Sequence, residues 1–516
     1  MAANHLTHHY DNARTGWNPH ETTLTVAAVR HAFRRQFVLP VDGNIYAQPL
    51  VASGVAIAGK GTRDVVYVAT EGDSVYAFDA ASEGAPLWHR SLVPAGEAPV
   101  APADVRGCGN IAPQIGITGT PIIERATETM YAVAKTKNHD GTVIHQRLHA
   151  LDIRSGADRP GSPIEIEAVV AGQGAGHNGS GHIPFDPRWH SNRPALLSTG
   201  RFLYLGFGSH CDFGPYHGWL MRYDIPTLRQ SGVFNTTPDP APPSTPVGPH
   251  GFTDRGGAVW QSGGGPAVDA AGNLYVATGN GPFTAYHGGR DYGDSVVMLR
   301  PDLTVGDYFT PFNQDILDAR DADLGSGGVM VLPPQQGRYP ALMVACGKTG
   351  TIYLLDRTDL GKYRQGPGGT DRVVQSLPGA VGGVWGSPAY YHGVDGQFVY
   401  YCGNGDHLKS FQLGDARLAL AGQSADTFPR GPGYDGGAIP SVSSNGGAAG
   451  TGVVWAVRRT NPLTLFAYDA TDLAAKLFEG EAGPWTNTGG GPFMAPTIAN
   501  GRVYVGTADR LAVFGP

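Results

Sequence analysis

The sequence repeats one pattern along most of its length: an apolar strand that ends in a small residue, a glycine-rich turn, and a second apolar strand that often closes on Asp. Copies of the pattern lie at residues 65–79, 203–224, 274–299, 352–356, 399–411, 465–469 and 503–514. A recurrence at intervals of roughly 50 to 70 residues indicates one supersecondary unit that is used many times. Because the unit is a small antiparallel sheet, the repeat predicts an all-β chain folded as a β-propeller.

The number of blades follows from their opening residues. Seven predicted blades begin with a Pro just before an apolar run, and Pro is tolerated at the first residue of a strand or on a sheet edge. These openings are at Pro49, Pro121, Pro194, Pro266, Pro388, Pro440 and Pro496. One further blade opens without Pro near residues 327–332. The sequence therefore predicts an eight-bladed propeller of four-stranded antiparallel blades.

The two ends of the chain predict how the ring closes. Residues 1–32 are polar and turn-like and do not fit the repeat, so we expect an N-terminal arm that lies over the ring. Residues 33–516 then form a single propeller domain. Residues 37–39 predict a lone outer strand, whereas the C-terminus supplies only inner strands, ending with residues 511–514. Pairing of these two segments would complete one blade and remove unpaired sheet edges.

Composition argues against two classes of partner. Charged residues make up 16% of the chain, the net charge is -7, and Lys and Arg form no run. A nucleic-acid partner is therefore not expected. No stretch approaches the roughly 18 apolar residues that a membrane-spanning helix needs, so we expect no transmembrane segment.

The cellular location is predicted from the first residues and from composition. Residues 1–5 lack the basic and apolar regions of a secretion signal, so either the protein is cytoplasmic or a leader has been removed from this numbering. The glycine-rich, lysine-poor composition is more typical of exported proteins. We therefore expect a periplasmic or extracellular protein, with the cytoplasm as the alternative.

The four cysteines show no CxxC spacing, which argues against a structural zinc site or a c-type haem. Cys346 and Cys402 lie in apolar strand segments and are expected to be small buried residues. Cys108 and Cys211 lie in polar, glycine-containing loops. A disulfide between these two can form if the compartment is oxidising, and the sequence leaves that question open.

Several loops carry oxygen ligands that suit calcium. Calcium takes six to eight oxygen ligands from carboxylates, amide carbonyls and water. Asp212, Asn280, Asp321 and Asp323 supply such oxygens from separate loops, and we expect these loops on one rim of the channel. A carboxylate beside a metal can serve as a general base. The alternative is that the same Asp and Asn residues are ordinary turn residues.

Aromatic and basic side chains near the same rim form a second group of candidates. Trp260 can stack on a flat ligand, and Lys348 can polarise a carbonyl. We also expect a small-molecule or saccharide ligand in the central channel to meet five further side chains. These are His210, Tyr216, His217, Tyr286 and His407. The alternatives are a transition-metal site on the His210 loop, or plain channel and core residues.

Residues 67–88 resemble the repeat of the pyrroloquinoline quinone-dependent alcohol dehydrogenases, a family of eight-bladed propellers. Their blades close on aromatic–Ala–x–Asp and carry a Trp on the outer strand, which Trp88 matches in this blade. Most other blades of this chain lack that Trp. The repeat-level resemblance covers nearly the whole chain, and it is shared with non-catalytic assembly propellers.

Four short segments are similar to the family's cofactor site and occur in the family's order. They are residues 209–214, 257–281, 318–323 and 347–357. The resemblance implies that Trp260 is the floor under the quinone and that Asp212 and Asn280 bind calcium. It also implies that Asp321 is the catalytic base and that Lys348 contacts the quinone oxygens.

Two more residues join these candidates, and the chain departs from the family at three places. Trp385 is a further candidate for contacting the cofactor, and Asp323 for contacting the metal. Asp212 stands where the family usually has Glu, and Arg320 stands where it has Trp. The family's adjacent Cys-Cys pair, which packs on the other face of the quinone, is absent, and the nearest candidate is Cys108.

The resemblance implies an oxidoreductase that acts on an alcohol or related small molecule, with pyrroloquinoline quinone and calcium as cofactors. Two alternatives stay open. One is a propeller enzyme without quinone, a lyase or hydrolase that uses His, Tyr and Asp side chains of the channel. The other is a non-catalytic binding or assembly scaffold.

Overall fold

The computed structural model describes residues 4–240, 256–429, 436–487 and 493–516. In this part of the chain, eight antiparallel sheets follow one another around a central channel and form an eight-bladed β-propeller. The all-β fold with eight four-stranded blades that the repeat predicts is therefore confirmed.

Each blade is a meander of four strands, counted here from the channel outward. The strands are Leu50–Ile57, Gly61–Ala69, Ser74–Asp79 and Trp88–Ser91 in blade 1; Ile122–Glu124, Thr129–Asn138, Ile144–Asp152 and Ile164–Glu165 in blade 2; Leu197–Ser198, Phe202–Ser209, Trp219–Asp224 and Arg229–Asn235 in blade 3; Ala267–Val268, Leu274–Ala277, Val296–Leu299 and Val305–Thr310 in blade 4; Met330–Val331, Leu342–Cys346, Ile352–Asp356 and Gln375–Leu377 in blade 5; Ala389–Gly393, Gly396–Cys402, Asp406–Gly414 and Arg417–Phe428 in blade 6; Ser441–Ser443, Val453–Arg458, Leu463–Asp469 and Lys476–Gly483 in blade 7; and Thr497–Ala499, Arg502–Gly506, Arg510–Gly515 and Arg34–Pro40 in blade 8.

Short elements add to these sheets. The additional strands are Trp17–Asn18, Glu97–Pro99, Val169–Ala171, His182–Pro184, His190–Ser191 and Lys362–Tyr363. The α-helices are Val26–Ala32 and Gln314–Ala319, and the 3₁₀ turns are Pro102–Val105, Gln261–Gly263, Ala285–His287, Leu324–Ser326 and Pro367–Gly369. Within the described ranges, none of the helices is long and apolar enough to cross a membrane.

The ring closes through blade 8, which combines both ends of the chain. Its outer strand, Arg34–Pro40, runs antiparallel to Arg510–Gly515. Phe37 lies opposite Val513, and Leu39 lies opposite Leu511. The closure predicted from the incomplete terminal segments is confirmed, and both strands that would have been open edges are paired.

The apolar cores lie between neighbouring blades. Between blades 8 and 1, for example, Leu39, Val51, Val66, Tyr504 and Leu511 form one buried cluster. The second strand of each blade is covered on both faces, so it reads as a continuous apolar run and not as an alternating one. This explains why the repeat is easy to recognise in the sequence.

Residues 5–18 of the N-terminal arm run past the innermost strands of the ring. Backbone or side-chain hydrogen bonds join the arm to all eight blades: His5 to Val51, Leu6 to Ile123, Asn12 to Ser198 and Val268, Ala13 to Val331, Thr15 to Tyr390, Gly16 to Val442 and Asn18 to Ile498. The guanidinium of Arg14 is fully buried and donates to Thr7 and to the carbonyls of His8, Leu196 and Pro266. The arm therefore acts as an internal tie across the blades.

Candidate functional site

A cavity of about 740 Å³ lies where several loops of the ring meet. Asp212 and Lys348 come from loops between the second and third strands of blades 3 and 5. Trp260, Asp321 and Trp385 come from segments that precede the first strands of blades 4, 5 and 6. In an antiparallel blade these two kinds of connection emerge at the same end. The cavity is therefore at one end of the channel.

Trp260 lies against the backbone of two glycines. Its indole Nε1 donates to the carbonyl of Ser209 at 3.1 Å. A Cβ placed on Gly208 would lie 2.2 Å from the indole Cδ1, and one on Gly279 would lie 2.5 Å from Cζ3. Glycine is required at both positions because the ring occupies the space that a side chain would take. Tyr216 adds a tilted ring contact, with ring centroids 6.4 Å apart.

Lys348 forms an ion-pair network with two carboxylates that line the cavity. Its Nζ lies 2.9 Å from Oδ1 of Asp321 and also contacts Asp323. The side chain of Asp323 is 1% exposed, so this contact is well shielded from solvent. Burial by itself would lower the pKa of Lys348, but Asp323 and Asp321 outweigh it and raise that pKa above its usual value.

Asn280 joins the two carboxylates from the other side. Its backbone N–H donates to Asp323 at 2.6 Å, and its Nδ2 donates to Asp321 at 2.7 Å. The side-chain Oδ1 is buried and has no hydrogen-bond partner among the residues that the structure describes. An orphaned buried acceptor is costly unless a donor or a cation satisfies it.

Asp212 brings a third carboxyl group to the cavity. Tyr216 donates its hydroxyl to Oδ1 of Asp212 at 2.9 Å. Burial, together with the nearby charge of Asp323, raises the pKa of Asp212 to about 6. Three carboxyl groups thus face one ammonium group, that of Lys348, and the donor set has an excess of hard oxygen ligands.

The side-chain oxygens of Asp212, Asn280 and Asp323 are of the type that calcium binds, but they are fewer than the six to eight ligands that calcium takes. Across the described ranges, no group of three or more His, Cys, Asp or Glu side chains is arranged to hold a metal ion. A calcium ion here would therefore need the amide oxygen of Asn280, and water or ligand oxygens, beside Asp212 and Asp323.

A disulfide joins Cys108 to Cys211, which are separated by 103 positions in the chain. It connects the loop before blade 2 to the long loop of blade 3, and both cysteines line the cavity. The cavity thus has a disulfide in its wall, although it is not formed by adjacent cysteines. Cys346 and Cys402 are free and buried, as their apolar strand contexts predict.

The two histidines predicted on the Asp212 loop, His210 and His217, are not among the described residues that line the cavity. His210 is buried with Nε2 at 2.7 Å from Nζ of Lys135. Burial and this neighbour keep the pKa of His210 well below its usual value, and burial lowers the pKa of Lys135 to about 7. His217 is also buried, and its ring contacts Thr237 and the carbonyl of Ala175, each at 2.8 Å.

The other predicted ligand contacts fall in different places. Trp385 lines the cavity, whereas the lining set contains neither Tyr286 nor His407 within the described part of the chain. Tyr286 is 47% exposed and packs edge-to-face on Tyr363, with ring centroids 5.2 Å apart. The Nδ1 of His407 bonds the carbonyl of Asp426 at 3.1 Å. Tyr216 serves as the partner of Asp212.

Arg193 and Arg320 line the cavity but were not identified as site residues from the sequence. Arg193 directly precedes Pro194, which opens a predicted blade, and its guanidinium lies 3.4 Å from the centroid of the Phe493 ring. A signal was present: every other Pro opening has an uncharged residue before the Pro. For Arg320, the signal was its position beside Asp321.

A scan against protein-family models finds no match to this chain, and a search of curated proteins finds no relative. The fold and the cavity define the class as an eight-bladed β-propeller with a loop-lined site at one end of its channel.

Proposed function

We propose that this propeller is a quinoprotein-like oxidoreductase that oxidises an alcohol or related small molecule, with pyrroloquinoline quinone and calcium bound in the cavity. The observation that carries the proposal is that Trp260, Asp321 and Lys348, which are far apart in sequence, line one cavity. Lys348 and Asn280 both contact the carboxylate of Asp321. A volume of about 740 Å³ is within the usual range for small-molecule sites.

Two groups of residues would hold the cofactors. Trp260 and the Cys108–Cys211 disulfide both line the cavity and would contact the flat quinone. Asp212, Asp323 and the orphaned Oδ1 of Asn280 would bind calcium. When bound, the quinone supplies a two-electron acceptor and calcium supplies a Lewis acid.

The protein's own chemistry in this proposal is proton transfer at Asp321. Lys348 and Asn280 both donate to its carboxylate, which fixes the orientation of the group. Asp321 then accepts the hydroxyl proton of the substrate as a general base, a role that typically contributes about 10²–10⁴-fold to rate. Lys348 stays protonated because Asp323 and Asp321 raise its pKa.

The proposed location is the periplasm or the extracellular space. Disulfides persist in oxidising compartments and are rare in the cytosol. The Cys108–Cys211 disulfide supports this location.

The decisive experiment is calorimetric titration of the protein with pyrroloquinoline quinone, with and without calcium. We expect micromolar or tighter binding that calcium strengthens. Trp260→Leu should weaken it at least tenfold. Trp88→Leu, which changes a Trp on an outer strand that is not among the described lining residues, should leave it unchanged. Absence of quinone binding at micromolar concentration would remove the dehydrogenase proposal.

The two alternatives predict different outcomes in activity assays. A binding scaffold reduces no dye with any alcohol or aldehyde, with or without quinone. A quinone-free lyase or hydrolase cleaves a larger substrate without added quinone, with His210, His217 or Tyr286 as sensitive positions. This last alternative has less support because these three residues are not part of the cavity lining in the described part of the chain.

A further inference from the structure

Arg320 lies at the mouth of the cavity and directly precedes Asp321. It follows the helix Gln314–Ala319, and its backbone N–H donates to the carbonyl of Ile316 at 3.1 Å. The backbone is therefore held by the end of the helix. The side chain is exposed and contributes to the lining of the cavity, as that of Asp321 does.

Among the residues that the structure describes, the guanidinium of Arg320 differs from the other cations of the cavity. In the described ranges it makes no hydrogen bond, ion pair or ring contact. Lys348, by contrast, is held by Asp321 and Asp323, and Arg193 lies over the ring of Phe493. Among the described residues, the guanidinium is therefore left to bind an anionic ligand that enters the cavity.

Charge along the cavity is also segregated by depth. Asp323 is almost fully buried and forms an ion pair with Lys348 in the interior, whereas Arg320 presents its charge to solvent at the rim. A ligand that carries a hydroxyl group at one end and an anion at the other would match this arrangement. Arginine binds carboxylates through two parallel hydrogen bonds, which fixes orientation as well as charge.

We propose that Arg320 selects a substrate with a carboxylate next to its hydroxyl carbon, that is, a 2-hydroxy acid. This inference rests on the proposed oxidoreductase function. Arg320 and Asp321 are consecutive and both line the cavity, so a substrate whose carboxylate binds Arg320 can present an adjacent hydroxyl group to Asp321. Arg320 is a specificity residue in this scheme, and Asp321 remains the base.

The reaction balances without any further reactant. The hydroxyl O–H and the adjacent C–H bonds break, and a C=O bond forms, which gives a 2-oxo acid. The hydroxyl proton goes to Asp321. Two electrons and the carbon-bound hydrogen would leave for the quinone-class acceptor of the proposed function, and the carboxylate on Arg320 would be unchanged.

The test compares mandelate with its neutral analogue mandelamide, using the full chain. Binding is measured by calorimetry at low ionic strength, both without cofactor and with pyrroloquinoline quinone and calcium, because salt screens an exposed charge. We expect the protein to prefer mandelate in at least one state. Arg320→Gln should weaken mandelate binding at least tenfold and leave mandelamide binding unchanged, and Arg320→Lys should restore part of the loss.

A matched control is Arg338→Gln, which removes the same charge from an exposed Arg outside the cavity lining. It should not change the preference for mandelate. Equal binding of the two probes in both states, or mandelate binding that is the same in Arg320→Gln and in the parent protein, would overturn the inference. Failure of dye reduction alone would instead contradict the proposed oxidoreductase function, because the binding comparison needs no turnover.

Discussion

The Nζ of Lys348 lies 2.9 Å from Oδ1 of Asp321, and the same oxygen accepts from Nδ2 of Asn280 at 2.7 Å. Three segments of two neighbouring blades thus meet at one carboxylate. The two donors restrict the orientation of the carboxylate, which suits a general base that must be aligned with the proton it accepts.

The first prediction concerns this carboxylate. Asp321→Asn keeps the size of the side chain but removes its basicity. We expect turnover in a dye-reduction assay with quinone and calcium to fall by about 10²–10⁴-fold. Calcium affinity, measured by calorimetry, should weaken much less, because Asp212 and the Asn280 amide oxygen are retained. Equal losses of turnover and of calcium affinity would show that Asp321 acts chiefly as a metal ligand.

The second prediction concerns Gly279, whose hydrogen atoms face the indole of Trp260. In Gly279→Ala the new Cβ would lie 2.5 Å from the indole and 2.7 Å from an oxygen of Asp323. We expect a loss of about 1–3 kcal/mol in the free energy of unfolding, and weaker quinone binding, because the ring must move. Gly84→Ala, where no atom lies within 4 Å of the new Cβ, is the matched control and should change neither quantity.

The third prediction concerns the Cys108–Cys211 disulfide. Replacing both cysteines with Ser opens a loop of about a hundred residues, and such a loss typically costs about 2–5 kcal/mol. Chemical denaturation should report this cost, and quinone affinity should fall because the disulfide lines the cavity. Cys346→Ser with Cys402→Ser is not a suitable control, since both thiols are buried.

A better control for the disulfide is dithiothreitol treatment of the parent protein and of the variant in which Cys108 and Cys211 are both replaced with Ser. The reductant should lower the stability and quinone affinity of the parent protein to those of the double variant. It should leave the double variant itself unchanged. A parent protein that keeps full quinone affinity after verified reduction would show that the disulfide does not contribute to binding.

The fourth prediction concerns Glu71, a fully buried carboxyl group outside the cavity lining. Burial raises its pKa to about 8, although Gly116 and Thr118 both donate to it. The folded state therefore holds the proton more tightly than the unfolded state, whose pKa is about 4.5. The contribution of this group to stability is highest below pH 4.5 and falls as the pH rises towards about 8, by roughly 5 kcal/mol in all.

The measurement is urea denaturation of the parent protein and Glu71→Gln between pH 4.5 and 8.5. The difference between their free energies of unfolding should shift in favour of the Gln variant as the pH rises. The amide introduces its own fixed cost, so only the slope with pH is diagnostic. Parallel curves for the two proteins would mean that Glu71 keeps an ordinary pKa.

The fifth prediction concerns ring closure. Deleting residues 1–40 removes the outer strand of blade 8 and exposes the edge of Arg510–Gly515, so we expect aggregation on size-exclusion chromatography. Deleting only residues 1–18 removes the arm but keeps the closing strand. That protein should stay monomeric with a lower melting temperature, since hydrogen bonds to all eight blades are lost. A stable monomer lacking residues 1–40 would contradict the closure argument.

The fold could be predicted from the sequence because each blade is built from local information. Strands that are buried on both faces read as continuous apolar runs, and turns and Pro openings separate them. The closure of the ring could also be predicted, because residues 37–39 and the last strands of the chain are each an incomplete part of one sheet. The arm's contacts with every blade could not be predicted, because Arg14 and its neighbours show no periodic pattern.

Residues of the candidate site could be predicted from the sequence only where a short motif fixed the residue type. Trp260, Asp321 and Lys348 stand in short recognisable segments and line one cavity, and Asn280 donates to Asp321. His210 and His217 lie on the predicted loop, but their rings are buried against Lys135 and Thr237. A sequence states which side chains a loop carries, whereas the direction of each side chain depends on the packing of neighbouring blades.

Local sequence therefore determined the blades, their number and the closing strand, because strand periodicity and turn chemistry act over a few residues. Tertiary structure alone decided that Cys108 meets Cys211 across 103 positions, and that Arg193 and Arg320 reach the cavity. These relationships join segments from different blades. Their distances are set by the geometry of the closed ring, which no single stretch of the chain encodes.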